Sequence, residues 1–319
     1  MAPSHATTWV LTDGRAGNER QALALAHALS GLAPRVWRLE GRAPWRWIAP
    51  RELAGSAFAF GDAFRHALHD PPVLAIGCGR QAALATRLLG EAGSRCVQIL
   101  NPRIDARHWD ALIVPEHDAL RGPQVVTTIG SLHGIDAAWL ADARARWPAF
   151  GELPSPRTAV LLGGPIEDVP LDAAWWTRTV DALRTLHARD GGSVSVCASG
   201  RTPDWLREAA RRDLSGLQGT LWLSARDGEN PYPGLLGWAA RIVVSPDSVN
   251  MVSEACATTA DVRIAEPGIA RARHARFLQA MMERQRIAPL ADAVQPPVAA
   301  QPLIELPRVA AAVRALLGR

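Results

Sequence analysis

The sequence predicts an α/β protein made of two doubly wound, Rossmann-like domains that face each other across a cleft. Short apolar runs alternate with helix-periodic stretches along the 319-residue chain, and the alternation restarts near its middle. Such alternation is typical of parallel sheets covered by helices on both faces. Each half also opens with a strand that runs into a glycine turn, TTWVLTDGRAGN in the first half and TAVLLGGP in the second.

The first half predicts an N-terminal domain over residues 1–150. Apolar runs predict strands at 7–12, 35–39, 73–77, 96–100, 111–114 and 125–129. Helical periodicity predicts helices at 19–30, 80–91 and 136–147. The proline-rich stretch WPAFGELPSPR at 147–157 predicts the linker.

The second half predicts a C-terminal domain over residues 151–305. Its strands are predicted at 158–163, 193–198, 220–225, 241–245 and 261–265. Its helices are predicted at 173–189, 203–214, 248–258 and 268–285, with a last helix at 306–318. In such sheets ligands bind outside the carboxyl ends of the strands, so we expect function in the segments that follow them.

The cationic residues limit the chemistry. The chain has a net charge of +4 and a pI near 9.3, yet it contains no lysine, so all 35 strong cations are arginines. A Walker-type phosphate loop, a pyridoxal Schiff base and a lysine general base all require an amine and are excluded. Arginine instead offers bidentate recognition of phosphate or carboxylate. The arginines are dispersed among few Phe and Tyr residues, which argues against a nucleic-acid partner.

Other composition signals favour a cytoplasmic protein. The cysteines are widely spaced in apolar stretches without a C-x-x-C pair, so we expect reduced core residues. No residues show metal-ligand spacing, and we expect neither a metal nor a cofactor. No apolar run approaches a membrane span, and the first residues lack a signal-peptide layout. The run Trp45-Arg46-Trp47, if exposed, would suit peripheral contact with the inner membrane, although Trp at helical spacing is more often core.

The segments after the strands share glycine, hydroxyl, Arg and Asn residues, as an anionic or polyhydroxylated ligand requires. In the first half the candidate substrate-binding residues are Gly14, Arg15, Gly17, Asn18, Gly77, Arg80, Asn101 and His133. In the second half the candidate nucleotide-binding residues are Gly163, Gly164, Ser199, Arg201, Thr202, Asp247, Ser248, Asn250, Ser253 and Glu254.

The segment Ser199–Pro203 predicts a phosphate subsite. Thr202 can cap the next helix with Pro203 in its first turn, so one phosphate would meet helix-end amides, a hydroxyl and the Arg201 guanidinium. The alternative is ordinary capping beside a solvated arginine.

The segment 245–257 predicts a ribose subsite. Asp247 or Ser248 can cap a helix that carries Ser253 and Glu254, and Glu254 would accept hydrogen bonds from ribose hydroxyls. The alternative is a solvated glutamate on an alanine-rich helix. Residues 251–257, MVSEACA, resemble the ribose-binding helix of B-type glycosyltransferases.

A wider resemblance covers most of the chain. Its motifs are D-G-R-x-G-N-x-x-Q (Asp13 to Gln21), I-G-x-G-R (Ile76 to Arg80), Q-x-x-x-P-R (Gln98 to Arg103), P-x-H-D (Pro115 to Asp118), L-x-G-G-P (Leu161 to Pro165), S-x-R-T-P (Ser199 to Pro203) and D-S-x-N-M-x-S-E-A (Asp247 to Ala255). They resemble the mitochondrial-fission family, whose bacterial members are described as predicted nucleoside-diphosphate-sugar epimerases or glycosyltransferases.

The resemblance implies a glycosyltransferase-B-like fold and a metal-independent transfer from a nucleoside-diphosphate sugar. It adds Gln21 to the substrate-binding residues and implies that the helix within 306–319 crosses back onto the first domain. The acceptor would be lipid-linked or an envelope glycan. Two alternatives are an epimerase on the same scaffold and a non-catalytic adaptor, as the plant namesake's role in mitochondrial division suggests.

Glycosyl transfer requires a general base for the acceptor hydroxyl. We prefer Asp13, and His117, Asp118 and His133 are its competitors. Asp13 also has a structural interpretation as a turn or helix-cap residue, and the His117-Asp118 pair has one as a capped turn. Arginine and helix dipoles would meet the charge of the leaving diphosphate.

Overall fold

The computed structural model describes residues 7–292 and 301–318, which form two compact units. Within the described residues, unit 1 comprises 7–134 and 305–318, and unit 2 comprises 135–304 without its undescribed stretch. Each unit contains one six-stranded sheet. This confirms the predicted α/β class with two doubly wound sheets.

Unit 1 is a parallel sheet with helices on both faces. Numbered in chain order, its strands are β1 (Thr8–Thr12), β2 (Arg35–Arg38), β3 (Leu74–Cys78), β4 (Arg95–Ile99), β5 (Ala111–Pro115) and β6 (Val125–Thr128). Its helices are α1 (Ala16–Ser30), α2 (Trp45–Ile48), α3 (Asp62–Ala67), α4 (Arg80–Glu91) and α11 (Leu306–Leu317). The strand order is β2-β1-β3-β4-β5-β6, so the chain changes direction across the sheet between β1 and β3.

Unit 2 repeats this plan. Its strands are β7 (Arg157–Leu162), β8 (Ser193–Ala198), β9 (Leu221–Trp222), β10 (Arg241–Val244), β11 (Asp261–Ile264) and β12 (Ala288–Pro289). Its helices are α5 (Ala137–Arg146), α6 (Ala173–Asp190), α7 (Asp204–Leu214), α8 (Tyr232–Trp238), α9 (Val249–Ala255) and α10 (Ala272–Glu283). The order β12-β11-β10-β7-β8-β9 puts the change of direction between β7 and β10.

Strands that are buried on both faces explain why the apolar runs were continuous. In β1, Trp9 and Leu11 enter the core that contains the alanines of α4, whereas Val10 enters the core beneath α1 and α11. Both faces of such a strand need apolar side chains, so the two-residue alternation of a half-exposed strand is absent. The four cysteines are buried and free, as predicted.

The boundary between the units lies earlier than the predicted linker. Residues 135–150 belong to unit 2, because α5 packs against α8. Glycines make this approach possible: a Cβ at Gly234 would lie 2.6 Å from the Trp147 Cβ, and one at Gly237 would lie 3.1 Å from the Arg144 Cγ. The prolines of 147–157 therefore accompany a packed 3-10 turn, Pro148–Glu152, and not a free linker.

Helix α11 belongs to unit 1. Val309, Ala310 and Val313 are almost fully buried in the core shared with α1 and β5. Glu305, just before the helix, accepts hydrogen bonds from the backbone of Ile129 (2.8 Å) and Gly130 (3.0 Å). The end of the described chain is thus fastened to the loop that follows β6.

Several short elements were not predicted. They are α2, α3, α8 and β12, each too short to show a period. The predicted strand 220–225 shortens to β9, and the predicted helix 268–285 begins only at Ala272. Within the described residues, no helix is long and apolar enough to span a membrane.

Candidate functional site

The direction change in unit 2 brings the loops after β7 and β10 together. The Gly163 N–H donates to Ser245 Oγ (2.8 Å), and the Gly164 N–H donates to Asp247 Oδ2 (3.0 Å). A Cβ on Gly163 would overlap the Asp247 carboxylate, and one on Gly164 would overlap the Arg201 carbonyl oxygen. The two glycines are therefore required for the three loops to meet.

Asp247 is the centre of this junction. Its side chain is fully buried, and it accepts from the Ser245 hydroxyl (2.6 Å) and from Arg201 Nη2 (2.6 Å) as well as from Gly164. A buried carboxylate needs such partners to offset its lost hydration. The side chain of Arg201 is about half exposed at 49%. Asp247 thus holds Nη2 of the Arg201 guanidinium, and Nη1 lies 3.5 Å from the Gly164 carbonyl oxygen, while about half of the side chain stays open to solvent.

Thr202 does not cap the helix that follows it, which corrects the prediction. Pro203 occupies the N-cap position of α7 without a side-chain cap. The buried Thr202 hydroxyl instead shares its proton between the carbonyls of Leu162 (2.8 Å) and Gly163 (2.7 Å) and accepts from the Ser199 N–H (2.9 Å). Its role is to tie the segment after β8 to the end of β7.

Helix α9 begins after Ser248, which caps its N-terminus. The Ser248 hydroxyl accepts from the Met251 N–H (3.3 Å), so Ser248 and not Asp247 is the cap. Ser253 is buried and donates to the Val249 carbonyl (2.7 Å), while Asn250 is half-buried. The helix therefore begins directly beside the Asp247 junction.

Glu254 is buried, which contradicts the alternative of a solvated glutamate. It is only 4% exposed, and the Tyr232 hydroxyl donates to its Oε2. Tyr232 begins α8 and is the only tyrosine of the chain. Asn230 Oδ1 accepts from both the Tyr232 N–H (2.9 Å) and the Cys197 thiol (3.5 Å), which fastens this turn to β8.

Sequence reasoning missed Tyr232 because it lies outside every predicted element. The available signal was the segment Glu229–Gly234, ENPYPG, where a lone tyrosine stands between two prolines. Its partner lies 22 positions further along the chain.

Sequence reasoning also missed a histidine and aspartate pair in unit 2. His274 Nδ1 lies 3.2 Å from Asp168 Oδ2, and the His274 side chain is 5% exposed. Burial lowers the pKa of His274 below its ordinary value, and the hydrogen bond to Asp168 opposes that shift. The negative charge of Asp247 also opposes the lowering of the His274 pKa.

The direction change in unit 1 gathers residues after β1 and β3. Asn18 Nδ2 donates to Asp13 Oδ1 (3.0 Å), and the Arg15 guanidinium lies 3.5 Å from Asp13 Oδ2. A Cβ on Gly79 would approach Asn18 Nδ2 to 2.7 Å. Gly14 has a left-handed backbone, φ 77°, in the loop after β1. The predicted loop residues therefore assemble, with Arg15 exposed and Asp13 partly buried.

Three other candidates of the first half, Arg80, Gly77 and Gln21, contact other parts of unit 1 or lie in its interior. Arg80 donates to the carbonyls of Arg46 and Trp47, each at 3.0 Å, and so holds α2. Gly77 lies inside β3, where a Cβ would meet Gln98 and Thr86 side chains. Gln21 is buried in α1. Gly17, another candidate, lies in the first turn of α1.

The competing bases are spread over other loops of unit 1. Asp118 Oδ1 accepts a hydrogen bond from Asn101 Nδ2 (2.8 Å). His117 is half-buried, and His133 is buried at 7% exposure in the segment after β6. Leu100 and Arg103, which flank Asn101, both have left-handed backbones, φ 73° and 58°. Strain of this kind is concentrated at functional sites.

The thiols are poor nucleophiles. Burial raises the pKa of Cys197 and of Cys256 to about 12, and it raises the pKa of Cys78 and Cys96 further. Thiolate chemistry at neutral pH is therefore disfavoured at all four positions.

Comparison with known sequences gives a family and two relatives. The sequence pattern of the family described as Mitochondrial fission ELM1 matches residues 16–317. The Arabidopsis thaliana "Mitochondrial fission protein ELM1" is 30% identical over 242 residues, which cover 67% of this chain and 56% of that protein. The chain therefore spans little more than half of the plant protein's length. An uncharacterized protein of Rickettsia prowazekii is 22% identical over 87% of this chain and 88% of its own length.

Two solved structures show the fold that this chain shares. The UDP-GlcNAc 2-epimerase of Methanocaldococcus jannaschii, in complex with UDP-GlcNAc and UDP, aligns with TM-score 0.57 and 11% identity over 98% of this chain and 99% of that chain. MurG of Acinetobacter baumannii aligns with TM-score 0.51 and 12% identity over 99% and 91%. These likenesses establish the fold, which is that of the B-type glycosyltransferases and the 2-epimerases.

Proposed function

The chain belongs to the Mitochondrial fission ELM1 family, and on that premise we propose that it transfers a sugar from a nucleoside-diphosphate donor. The observation that carries the proposal is the half-exposed Arg201 side chain, held by a fully buried Asp247 beside the direction change of unit 2. Ligands of doubly wound sheets bind at such positions. The similar fold of a 2-epimerase in complex with UDP-GlcNAc and UDP supports the same ligand class.

In this proposal the diphosphate binds at the junction of the loops after β7, β8 and β10. Arg201 is anchored before the ligand arrives, so little side-chain entropy is lost when it binds phosphate. The exposed part of its guanidinium supplies charge-assisted hydrogen bonds to phosphate oxygens. Arg201 would also stabilise the negative charge that develops on the leaving diphosphate, which is the role we propose in place of a metal ion.

The ribose would bind against α9. Glu254 is a buried carboxylate, and a carboxylate accepts hydrogen bonds from the two hydroxyls of a ribose. The Tyr232 hydroxyl occupies part of its accepting capacity and so limits the directions from which a ligand can approach.

The acceptor would bind to unit 1, with Asp13 as the general base. The acceptor hydroxyl oxygen attacks the anomeric carbon, the bond from that carbon to the diphosphate oxygen breaks, and the hydroxyl proton passes to Asp13. Asn18 and the Arg15 backbone both hydrogen-bond Asp13 Oδ1, which orients the carboxylate. We propose a lipid-linked or envelope glycan as the acceptor.

Ligand-dependent thermal stability tests donor binding. A true donor should stabilise the full chain by ~2.7 kcal/mol at a hundredfold excess over its dissociation constant. The panel should contain UDP, UDP-GlcNAc and the corresponding adenosine, guanosine and thymidine diphosphates. If no compound of this panel raises the thermal stability, the result contradicts the proposal and favours a non-catalytic adaptor. The plant relative's name, a mitochondrial fission protein, is compatible with such a role.

A matched pair of arginine variants locates the diphosphate. Arg201→Gln should lower nucleotide affinity about 10- to 100-fold, because a charge-assisted hydrogen bond is lost. Arg211→Gln is the control, since Arg211 is similarly exposed (57%) and is also paired with an aspartate, Asp227. Equal losses in both variants would argue against a specific diphosphate site.

An epimerase is the second candidate, because 2-epimerases are among the solved structures with a similar fold. The two activities differ in their need for an acceptor. Incubation of the protein with UDP-GlcNAc alone, followed by separation of the C2 epimers, distinguishes them. Epimer formed without any acceptor would favour the epimerase over the transferase.

A further inference from the structure

Exposed apolar side chains are concentrated on one stretch of unit 1. Trp47, Leu53 and Phe58 are 64%, 52% and 44% exposed. The other large exposed apolar residues of the described chain are scattered singly at Leu32, Val73, Trp205 and Ile304. Isolated exposed apolar residues are ordinary, whereas three of them between positions 47 and 58 indicate an interaction surface. We call the stretch 42–58 the aromatic–arginine segment.

The aromatic–arginine segment is rigidly held from one side. Gln81 Nε2 donates to the Arg46 carbonyl (2.8 Å), and Arg87 Nη1 donates to the Pro50 carbonyl (2.7 Å). Arg87 also pairs with Glu52 at 2.9 Å, and Arg80 adds its two bonds to α2. Trp45 and Ala49 pack into the core beneath. Side chains of α4 therefore fasten the backbone, while the three large apolar side chains remain on the solvent side.

The charge of the segment is positive on its exposed part. Arg42, Arg46 and Arg51 are exposed, and none of them forms an ion pair within residues 7–292 and 301–318. The single acidic residue of the segment, Glu52, is already paired with Arg87. The Arg46 guanidinium also lies over the Trp47 ring, 5.2 Å from its centroid. A cation that stacks on an aromatic ring can stay near anionic groups while the ring enters an apolar layer.

We propose that the aromatic–arginine segment docks on an anionic lipid bilayer. Trp and Phe side chains bury apolar area at the boundary between headgroups and acyl chains, and arginines attract anionic headgroups. A bilayer fits this segment better than a protein partner does, because its unpaired charge is of one sign and Arg46 lies directly over the exposed Trp47 ring. The inference goes beyond the proposed function, since it concerns neither the donor nor the reaction.

Vesicle flotation of the full chain tests the proposal. Wild-type protein should float with vesicles of phosphatidylcholine and phosphatidylglycerol, float less with phosphatidylcholine alone, and dissociate as salt is raised. The double variant Trp47→Ala/Phe58→Ala should lower the partition coefficient by about tenfold or more. The triple variant Arg42→Gln/Arg46→Gln/Arg51→Gln should lower the partition coefficient roughly fivefold per arginine, and only on anionic vesicles.

Matched controls distinguish docking of this segment from nonspecific hydrophobic adsorption and from unfolding. Trp205→Ala and Leu32→Ala remove exposed apolar side chains elsewhere and should float as wild type does. The thermal shift with UDP should be unchanged in all variants, so a failure of lipid docking is distinguishable from a failure of donor binding. Absence of wild-type flotation on anionic vesicles, or equal flotation of the double variant, overturns the proposal. The first of these outcomes would point to a protein partner.

Discussion

The Arg201 guanidinium lies 2.6 Å from the Asp247 carboxylate, and the two side chains differ completely in exposure, at 49% and 0%. The aspartate is enclosed by donors from three loops, whereas the arginine extends from this anchor into solvent. A charge fixed in this way is available to a ligand without a search among rotamers.

Asp247→Asn should therefore weaken nucleotide binding although Asp247 itself is buried. The asparagine side chain has one acceptor oxygen and one NH₂ group, so it cannot accept from all the groups that now donate to Asp247. It also carries no negative charge, so it no longer anchors Arg201. We expect a loss of about 1–3 kcal/mol in the free energy of unfolding and a smaller thermal shift with UDP. Chemical denaturation with and without UDP measures both. Asp204→Asn, which removes an exposed carboxylate (91%), is the control and should change neither quantity.

Gly164→Ala should disrupt the same junction through the backbone. An added Cβ would overlap the Arg201 carbonyl oxygen, and overpacking of this kind costs typically ~1–3 kcal/mol. At Gly200, one residue before Arg201, a Cβ would meet no heavy atom within 4 Å. Thermal unfolding and UDP titration should be impaired in Gly164→Ala and nearly normal in Gly200→Ala. Equal behaviour of the two variants would show that loop contact at Gly164 does not matter.

Tyr232→Phe should change ribose recognition more than diphosphate recognition. The variant keeps the ring and removes the hydroxyl that donates to Glu254, leaving a buried carboxylate with one donor fewer. We expect the preference for UDP over 2′-deoxy-UDP to fall, together with a stability loss of about 1–2 kcal/mol. Isothermal titration with both nucleotides gives the ratio. A lower stability with an unchanged ratio would assign Tyr232 a purely structural role.

His274 should make stability depend on pH. Burial lowers the pKa of His274 in the folded state below the unfolded value of about 6.5, so the unfolded chain takes up the proton first as pH falls. The stabilisation is present above about pH 6.5 and is lost as the pH falls toward the folded pKa. Urea unfolding at about pH 7.5 and about pH 5.5 should show a smaller acid destabilisation in His274→Gln than in wild type. His69→Gln, at an exposed position, is the control.

Local patterns were enough to predict most of the alternating elements and to select the candidate loops between them. Strands such as β3 and β10 are buried on both faces, so each reads as a continuous apolar run between glycine-rich turns. The carboxyl ends of parallel strands meet at one edge of a sheet, and this rule predicts from the sequence that Gly163, Arg201 and Asp247 lie in neighbouring loops.

The partners of these residues depended on contacts between distant parts of the chain. Asp168 and His274 are separated by 106 positions, and Thr202 turned out to bind the end of β7, about 40 positions earlier, and not its own helix. The unit boundary likewise followed from the packing of α5 on α8, against the proline signal at 147–157. Trp47 is exposed, whereas Trp175 and Trp176 are buried. Their sequence settings are similar, so the sequence alone did not predict this difference. A short-range pattern records which side chains a segment offers, but only the folded packing determines which of them are enclosed, paired or left facing solvent.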